Sequence, residues 1–341
     1  MAVYYHNKML GECAIEKYNC EDVWNFHKSI QGSSSLKLRN LGRNITIVDC
    51  SRALGLNSFK AFGVTYAFYK MMQERIPGIC DYASLIRKAD SFDIKVCTAS
   101  DGNFGVAISY MCNLLHIKCK VYLPSDTPKY YIDKLMESNA EIVSIDGDYD
   151  KCIVQALECG GSDRYEVLLD TSITGLYENT FVKNVMYGYL SVFMLITKQY
   201  DYVFVPVGVG GLLSTAISFF KSIDNSKTKI IAVEPENYNC VQKSIEKGEM
   251  VSVEGKKTLI NGLACGTVSS MAWNNIKSGT DIAMTIDDEE AEKGYETLLA
   301  MGFNTGYTGA AAYSGYLKFS NDYSIKKNSS VLIINTEKSE V

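Results

Sequence analysis

The chain has 341 residues, a length typical of two domains, with 47% hydrophobic residues and a net charge of -5. It contains no basic block, which argues against nucleic acid as a partner, and no apolar run reaches the roughly 18 residues of a membrane-spanning helix. Its three histidines are too few for a multi-histidine metal site, so no metal is expected. The 11 cysteines form no C-x-x-C pair, and the start does not resemble a signal peptide. We therefore expect reduced thiols in a cytoplasmic protein.

Short apolar strands alternate with amphipathic helices along most of the chain. In chain order, the predicted strands are 45–48, 95–99, 120–123, 141–145, 167–169, 202–205, 229–234 and 330–335. The predicted helices are 22–29, 61–75, 82–88, 106–115, 128–138, 150–159, 181–199 and 212–220. This alternation predicts an α/β fold with parallel-rich sheets covered by helices. In such sheets ligands bind beyond the carboxyl ends of the strands, and the motifs described next lie at such ends.

Lys60 stands where the predicted helix 61–75 begins, and Asn57 or Ser58 is the predicted cap of that helix. The positive end of the helix dipole and an apolar setting would both lower the pKa of the Lys60 amine. A lysine with a lowered pKa is suited to Schiff-base chemistry. The same position also fits a solvated surface lysine, so other motifs have to decide between the two.

A glycine-rich loop formed by Gly208, Val209, Gly210 and Gly211 follows a predicted strand and opens a helix. Such a loop presents several backbone N–H groups at a helix N-terminus, an arrangement that binds phosphate. It has neither the G-x-G-x-x-G spacing of a dinucleotide site nor the lysine of a P-loop. We interpret it as a site for a single phosphomonoester; the alternative is an ordinary strand–helix turn.

Polar side chains follow three other predicted strands. Asn103 can hydrogen-bond a ring hydroxyl or a substrate carboxylate, and Asp101 is either an acid/base or a helix cap. Asp170 ends a strand and is either a base or a turn carboxylate. Thr336 and Glu337 follow the last strand, where they could also belong to a frayed terminus.

A helix-start lysine, an asparagine loop and a later glycine-rich phosphate loop, in that order, resemble the fold type II pyridoxal-phosphate enzymes. That group includes tryptophan synthase β subunit, threonine dehydratase and cysteine synthase. Within it the chain is most similar to the diaminopropionate ammonia-lyases, and Asp101 is the discriminating residue because most of the group carry serine there. The segments that carry the similarity are NFHKS (25–29), GLNSFKAFG (55–63), SDGNFG (100–105), LLDTS (168–172), PVGVGGLLSTA (206–216), VEPENYNC (233–240) and NGLACG (261–266).

The resemblance implies pyridoxal 5'-phosphate as the cofactor, joined to Lys60 as a Schiff base. The loop 208–211 would hold the cofactor's phosphate, Asn103 would contact its 3'-oxygen, and Thr336 would face its pyridine nitrogen. Together these are the cofactor-binding residues that the sequence predicts.

For the reaction, the resemblance implies β-elimination of ammonia from 2,3-diaminopropionate, giving pyruvate and ammonia through an aminoacrylate intermediate. Asp101 would be the base for the D-enantiomer and Asp170 the base for the L-enantiomer. The chain departs from the pattern at several places: the family's Y-x-P-T-P-L segment is absent, Phe104 replaces a histidine, and Ile173 replaces a tryptophan beside Asp170. A related β-substituted amino acid therefore stays open as the substrate.

The resemblance also implies a homodimer built from two-domain subunits. Residues 1–62 plus 173–341 would form a large cofactor-binding domain, and residues 63–172 a smaller mobile domain carrying the asparagine loop. A β-replacement synthase and a catalytically inactive scaffold of the same fold remain as alternatives to the lyase.

Overall fold

The computed structural model describes residues 4–12, 14–30, 36–42, 44–100, 102–162, 165–222, 226–323, 325–326 and 328–338. The strands are β1 Tyr4–His6, β2 Lys37–Asn40, β3 Ile45–Asp49, β4 Lys95–Ala99, β5 Lys118–Pro124, β6 Glu141–Ile145, β7 Glu166–Val167, β8 Tyr202–Pro206, β9 Lys229–Pro235, β10 Ile282–Ile286 and β11 Val331–Asn335. The helices are α1 Cys20–Lys28, α2 Lys60–Arg75, α3 Tyr82–Arg87, α4 Asn103–Leu114, α5 Lys129–Glu137, α6 Tyr149–Ser162, α7 Thr180–Gly188, α8 Gly211–Lys221, α9 Cys240–Lys247, α10 Ser270–Gly279, α11 Asp288–Ala300 and α12 Tyr307–Asp322.

The strands form two sheets. A seven-stranded sheet has the order β1-β10-β9-β8-β11-β3-β2, and a four-stranded sheet has the order β6-β5-β4-β7. All pairs of the smaller sheet are parallel, and in the larger sheet only the edge strands β1 and β2 pair antiparallel. The predicted α/β fold with parallel-rich sheets is confirmed.

Strand β11 shows why the larger sheet needs helices on both faces. All five of its residues are buried. Leu332 and Ile334 pack into one hydrophobic cluster, while Val331 and Ile333 pack into another on the opposite face. Because successive side chains of a strand point to opposite faces, a continuous apolar strand requires a covered sheet.

Some elements differ from the prediction. The predicted helix 181–199 ends at Gly188, and a 3-10 helix continues over Tyr189–Phe193. That 3-10 segment is buried throughout, so its apolar residues carry no periodicity that would mark the end of the helix. Strands β1, β2 and β10 and helices α9, α10 and α11 were not predicted.

Helix α2 packs closely against α7 because glycines stand at their crossing. A Cβ atom added to Gly188 would lie 2.4 Å from the carbonyl oxygen of Phe62 and 2.7 Å from the Cα of Gly63. A Cβ atom added to Gly63 would lie 2.4 Å from the ring of Tyr189. The backbones of α2 and α7 can therefore approach this closely only because Gly63 and Gly188 have no side chains. Gly63 is three residues from Lys60.

His27 is fully buried and joins α1 to α2. Its Nε2 lies 3.1 Å from the carbonyl oxygen of Phe62 and 3.0 Å from Thr65 Oγ1, and its Nδ1 lies 2.7 Å from Ser191 Oγ. Burial opposes the charged ring and lowers the pKa of His27 to about 3. A neutral imidazole thus stabilises the first turn of α2.

The four-stranded sheet is built from strands that lie within residues 95–167. This segment falls inside the predicted smaller domain, 63–172, but the division into two domains and the mobility of the smaller one remain predictions. Within the described ranges, no helix is both long and apolar enough to cross a membrane.

We predict that Gly188→Ala lowers the free energy of unfolding by about 2 kcal/mol, because the added methyl group overpacks the α2–α7 contact. The matched control is Gly161→Ala in α6, where an added Cβ meets nothing within 4 Å. The control should be neutral or stabilising by roughly 0.5–1 kcal/mol, since alanine is favoured over glycine in helices. Urea unfolding of both variants measures the effect, and equal losses would contradict the packing argument.

Candidate active site

Lys60 is the first residue of α2, and the backbone just before it pairs with the chain that follows β11. The amide of Phe59 donates to the carbonyl oxygen of Thr336 at 2.9 Å, and Ser58 forms an isolated β-bridge with Glu337. The predicted capping is present only weakly, as a 3.4 Å contact from the Lys60 amide to Ser58 Oγ. Long-range backbone pairing, more than a local cap, therefore determines where Lys60 stands.

The side chain of Lys60 contacts Asp170, which follows β7. Lys60 Nζ donates to Asp170 Oδ2, and the hydroxyl of Tyr149 donates to Asp170 Oδ1 at 2.9 Å. Both oxygens of Asp170 thus have donors, and the carboxyl group is held in one orientation.

The expectation that the pKa of Lys60 is lowered is wrong for this arrangement. Burial is the largest single influence and lowers the pKa of the Lys60 amine. The charge and hydrogen bond of Asp170, together with contributions from Tyr189 and Cys265, outweigh it, so the net pKa lies above the usual range. The two residues stand 110 positions apart in the sequence, so the segment around Lys60 carried no sign of this partner.

The glycine loop follows β8 and leads into α8, as predicted. Gly210 has a left-handed φ of +97°, and a Cβ atom at this position would lie 2.5 Å from Ile276 Cδ1. A Cβ atom on Gly208 would lie 3.0 Å from Cys265 Sγ. Both positions favour glycine, and the loop delivers its backbone amides to the N-terminus of α8, where anions are bound.

Two buried hydroxyl groups in the pocket have no hydrogen-bond partner in the described part of the chain. They are Thr336 Oγ1 and the phenolic oxygen of Tyr189. Thr336 is 1% exposed and Tyr189 2% exposed, and both line the pocket together with Lys60. Because buried polar atoms are normally paired, these two oxygens indicate room for a polar ligand.

Asn103 opens α4 and points its amide nitrogen at the opposite side of the same pocket. Asn103 Nδ2 donates to Glu337 Oε2 at 2.6 Å and lies 3.4 Å from the hydroxyl of Tyr131. This hydrogen bond connects the first residue of α4, which follows β4 of the smaller sheet, to the segment that follows β11 of the larger sheet.

The structure brings nearly all predicted site residues together. Lys60, Asn103, Asp170, the loop 208–211 and Thr336 line one pocket. The predicted base Asp101 lies outside the described residues. Within each sheet, parallel pairing of β4 with β7 and of β8 with β11 makes the carboxyl ends neighbours, and the pocket lies where the two pairs of ends meet.

The sequence did not identify Tyr149 and Tyr189 as site residues, and it gave no role to Glu337, which it noted only as a polar residue after the last strand; all three line the pocket. Tyr149 and Tyr189 belong to no motif, and nothing local distinguishes them from core tyrosines. Glu337 follows Thr336 directly, so the strand-end rule that identified Thr336 also applied to Glu337.

Comparisons with known proteins agree with this geometry. The family model "Pyridoxal-phosphate dependent enzyme" matches residues 31–337. The diaminopropionate ammonia-lyase of Salmonella typhimurium is 26% identical over 93% of this chain and 88% of that protein. A biosynthetic L-threonine dehydratase of Staphylococcus epidermidis is 27% identical over 57% of this chain and 46% of that protein.

Solved structures share the fold. The chain superposes on crystalline holo diaminopropionate ammonia lyase from Escherichia coli with a TM-score of 0.85 and 21% identity, covering 99% of this chain and 93% of that one. A pyridoxal 5'-phosphate-dependent aspartate racemase gives a TM-score of 0.74 at 18% identity, covering 96% and 97% of the two chains. Since the family model matches most of its length, the chain belongs to the pyridoxal-phosphate dependent enzymes.

Proposed function

We propose that this enzyme is an ammonia-lyase that removes ammonia from 2,3-diaminopropionate, or a closely related β-substituted amino acid, and yields pyruvate. The observation that carries the proposal is the contact between Lys60 and Asp170 in a pocket that also holds a glycine phosphate loop. A carboxylate beside the reactive lysine can act as the base that starts β-elimination. Relatives named diaminopropionate ammonia-lyase support the choice of substrate.

The described residues fit pyridoxal phosphate as the cofactor. The amides of the loop 208–211 offer donors for a phosphate, and Lys60 offers the amine for a Schiff base. The unpartnered hydroxyl of Thr336 suits the pyridine nitrogen, and Asn103 suits the 3'-oxygen. A neutral hydroxyl at that nitrogen does not hold a proton there as a carboxylate would, which favours loss of a β-substituent.

The protein's own groups would act as follows. Bound pyridoxal phosphate supplies the acceptor for the electron pair left when the α-proton is removed. Asp170, oriented by Tyr149, takes that proton on one face, and Asp101 is proposed to do so on the other. The bond from the β-carbon to its nitrogen then breaks, and ammonia leaves with the bonding electrons. The released 2-aminoacrylate takes up water and gives pyruvate and a second ammonia.

We further propose a cytoplasmic homodimer. None of the ten described cysteines forms a disulfide, which is typical of a reducing compartment. A dimer is what the resemblance to the diaminopropionate ammonia-lyases implies.

The reaction itself is tested by incubating the holoenzyme with D- and L-2,3-diaminopropionate and other β-substituted amino acids. Pyruvate and ammonia formed without an added nucleophile support a lyase. If an added nucleophile lowers the amount of pyruvate and a new amino acid forms instead, the result would favour the β-replacement synthase. A protein that binds no cofactor and turns over no amino acid would favour the inactive scaffold.

We predict that Lys60→Ala abolishes turnover and the covalent link to the cofactor, because the amine that forms the Schiff base is removed. Borohydride reduction of the parent followed by peptide mapping should place the label on Lys60. Lys129→Ala serves as the control, since that side chain is 83% exposed at the surface. A label on another lysine would overturn the assignment.

We predict that Gly210→Asp weakens cofactor binding by on the order of tenfold or more. The new side chain meets Ile276 at a left-handed φ and adds a negative charge beside the phosphate site. Gly302→Asp is the matched control, because Gly302 has a φ of +76° with nothing within 4 Å of an added Cβ. Titration of the apoenzyme with cofactor measures the affinity of both variants. An unchanged affinity in Gly210→Asp would exclude the loop 208–211 as the site that binds the cofactor's phosphate.

We predict that Asp170→Asn lowers kcat/KM for L-2,3-diaminopropionate by on the order of 10²-fold, because asparagine keeps the shape and removes the base. The kcat/KM for the D-enantiomer should fall much less. Asp101→Asn is the reciprocal variant and should show the opposite preference. If each variant loses activity toward both enantiomers equally, the two carboxylates do not remove protons from separate faces of the substrate.

A further inference from the structure

Glu337 is a buried carboxyl group at the edge of the active pocket. It is 6% exposed, and its backbone is fixed by the bridge to Ser58. The amide hydrogen bond from Asn103 at 2.6 Å holds its Oε2 atom in place. Such a group lies in a defined position without being part of the hydrophobic core.

Glu337 also lies at the junction of two cavities. Beyond the pocket that contains Lys60 there is a larger cavity of about 570 Å³. Among the described residues, those that line both spaces are Tyr149, Asn261, Thr308 and Glu337. A substrate side chain that extends from the inner pocket toward the larger cavity would therefore lie beside these residues.

The acidic side chains that line the two cavities differ in burial and in their partners. Of the acidic residues described around the inner pocket, Asp170 contacts Lys60, and Glu337 lies at the entrance. Two acidic residues line the larger cavity away from the junction, and both are exposed: Asp126 lies 3.6 Å from Lys257, and Asp148 lies at the surface. Glu337 is therefore the buried acidic group that an incoming side chain meets.

We propose, on the basis of the lyase function above, that Glu337 binds the cationic β-substituent of the substrate and selects amino acids whose side chain carries an ammonium group near the β-carbon. A carboxylate stabilises a neighbouring ammonium ion and so keeps its proton in place. When the bond from carbon to nitrogen breaks, the electron pair goes to a nitrogen that already carries three protons, and neutral ammonia leaves. No additional acid is needed.

The test uses the isosteric variant Glu337→Gln on the holoenzyme. Its amide oxygen can still accept from Asn103, so the variant removes the negative charge and retains the hydrogen bond. Glu337→Asp retains the charge on a shorter side chain. Asp126→Asn is the matched control, because it removes an exposed carboxylate from the larger cavity.

Two measurements are made on each protein. The first is the ratio of kcat/KM for 2,3-diaminopropionate to kcat/KM for 3-chloroalanine, whose leaving group is neutral before it departs. The second is the ratio of Kd values, by calorimetry, for 2,4-diaminobutyrate and norvaline, which differ in charge and carry no leaving group at the β-carbon.

We expect Glu337→Gln to lower both preferences for the cationic ligand by about 10- to 100-fold, the range for a hydrogen bond to a charged group. Glu337→Asp should recover part of the preference, and Asp126→Asn should change it less than threefold. Equal losses for cationic and neutral ligands in Glu337→Gln, or a parent that does not prefer 2,4-diaminobutyrate over norvaline, would overturn the proposal. If the parent forms no pyruvate from any substrate, the lyase function fails, while the two Kd values still decide the role of Glu337.

Discussion

The contact between Lys60 and Asp170 is the interaction on which the site depends. It joins the first residue of α2, next to the larger sheet, to the carboxyl end of β7 in the smaller sheet. Tyr149 orients the carboxyl group from its other side. Because a charged amine and a carboxylate are costly to bury separately, each side chain stabilises the position of the other. The carboxylate of Asp170 thereby favours the ammonium form of Lys60.

A second constraint comes from the backbone. The residues before Lys60 pair with those after β11, so the amide of Phe59 and the carbonyl of Thr336 connect the start of α2 to the segment that follows the interior strand β11. The unpartnered hydroxyl of Thr336 and the carboxyl group of Glu337 then face the pocket from one short segment. Small residues make this arrangement possible, since the α2–α7 crossing at Gly63 and Gly188 leaves no room for side chains close to Lys60.

Local patterns were sufficient for much of the fold and the site. Apolar strands alternating with helices predicted covered parallel sheets, and the ends of β4, β7, β8 and β11 carry Asn103, Asp170, the loop 208–211 and Thr336 in one pocket. Prediction failed where local signals were missing. The buried segment Tyr189–Phe193 has no amphipathic period that would distinguish a 3-10 helix from a continued α-helix, and the unpartnered hydroxyl of Tyr189 belongs to no motif.

The sequence by itself determined the types of groups available: an amine at a helix start, a glycine loop between a strand and a helix, and polar residues at strand ends. These depend on residue type and near neighbours, which the order of amino acids specifies directly. Only the tertiary structure decided which groups face each other. It raised the pKa of Lys60 where the local sequence predicted a lower pKa, because Lys60 contacts Asp170, which lies 110 positions away in the sequence. It also brought Glu337 to the junction of two cavities, because strand order and parallel pairing set distances that no local pattern encodes.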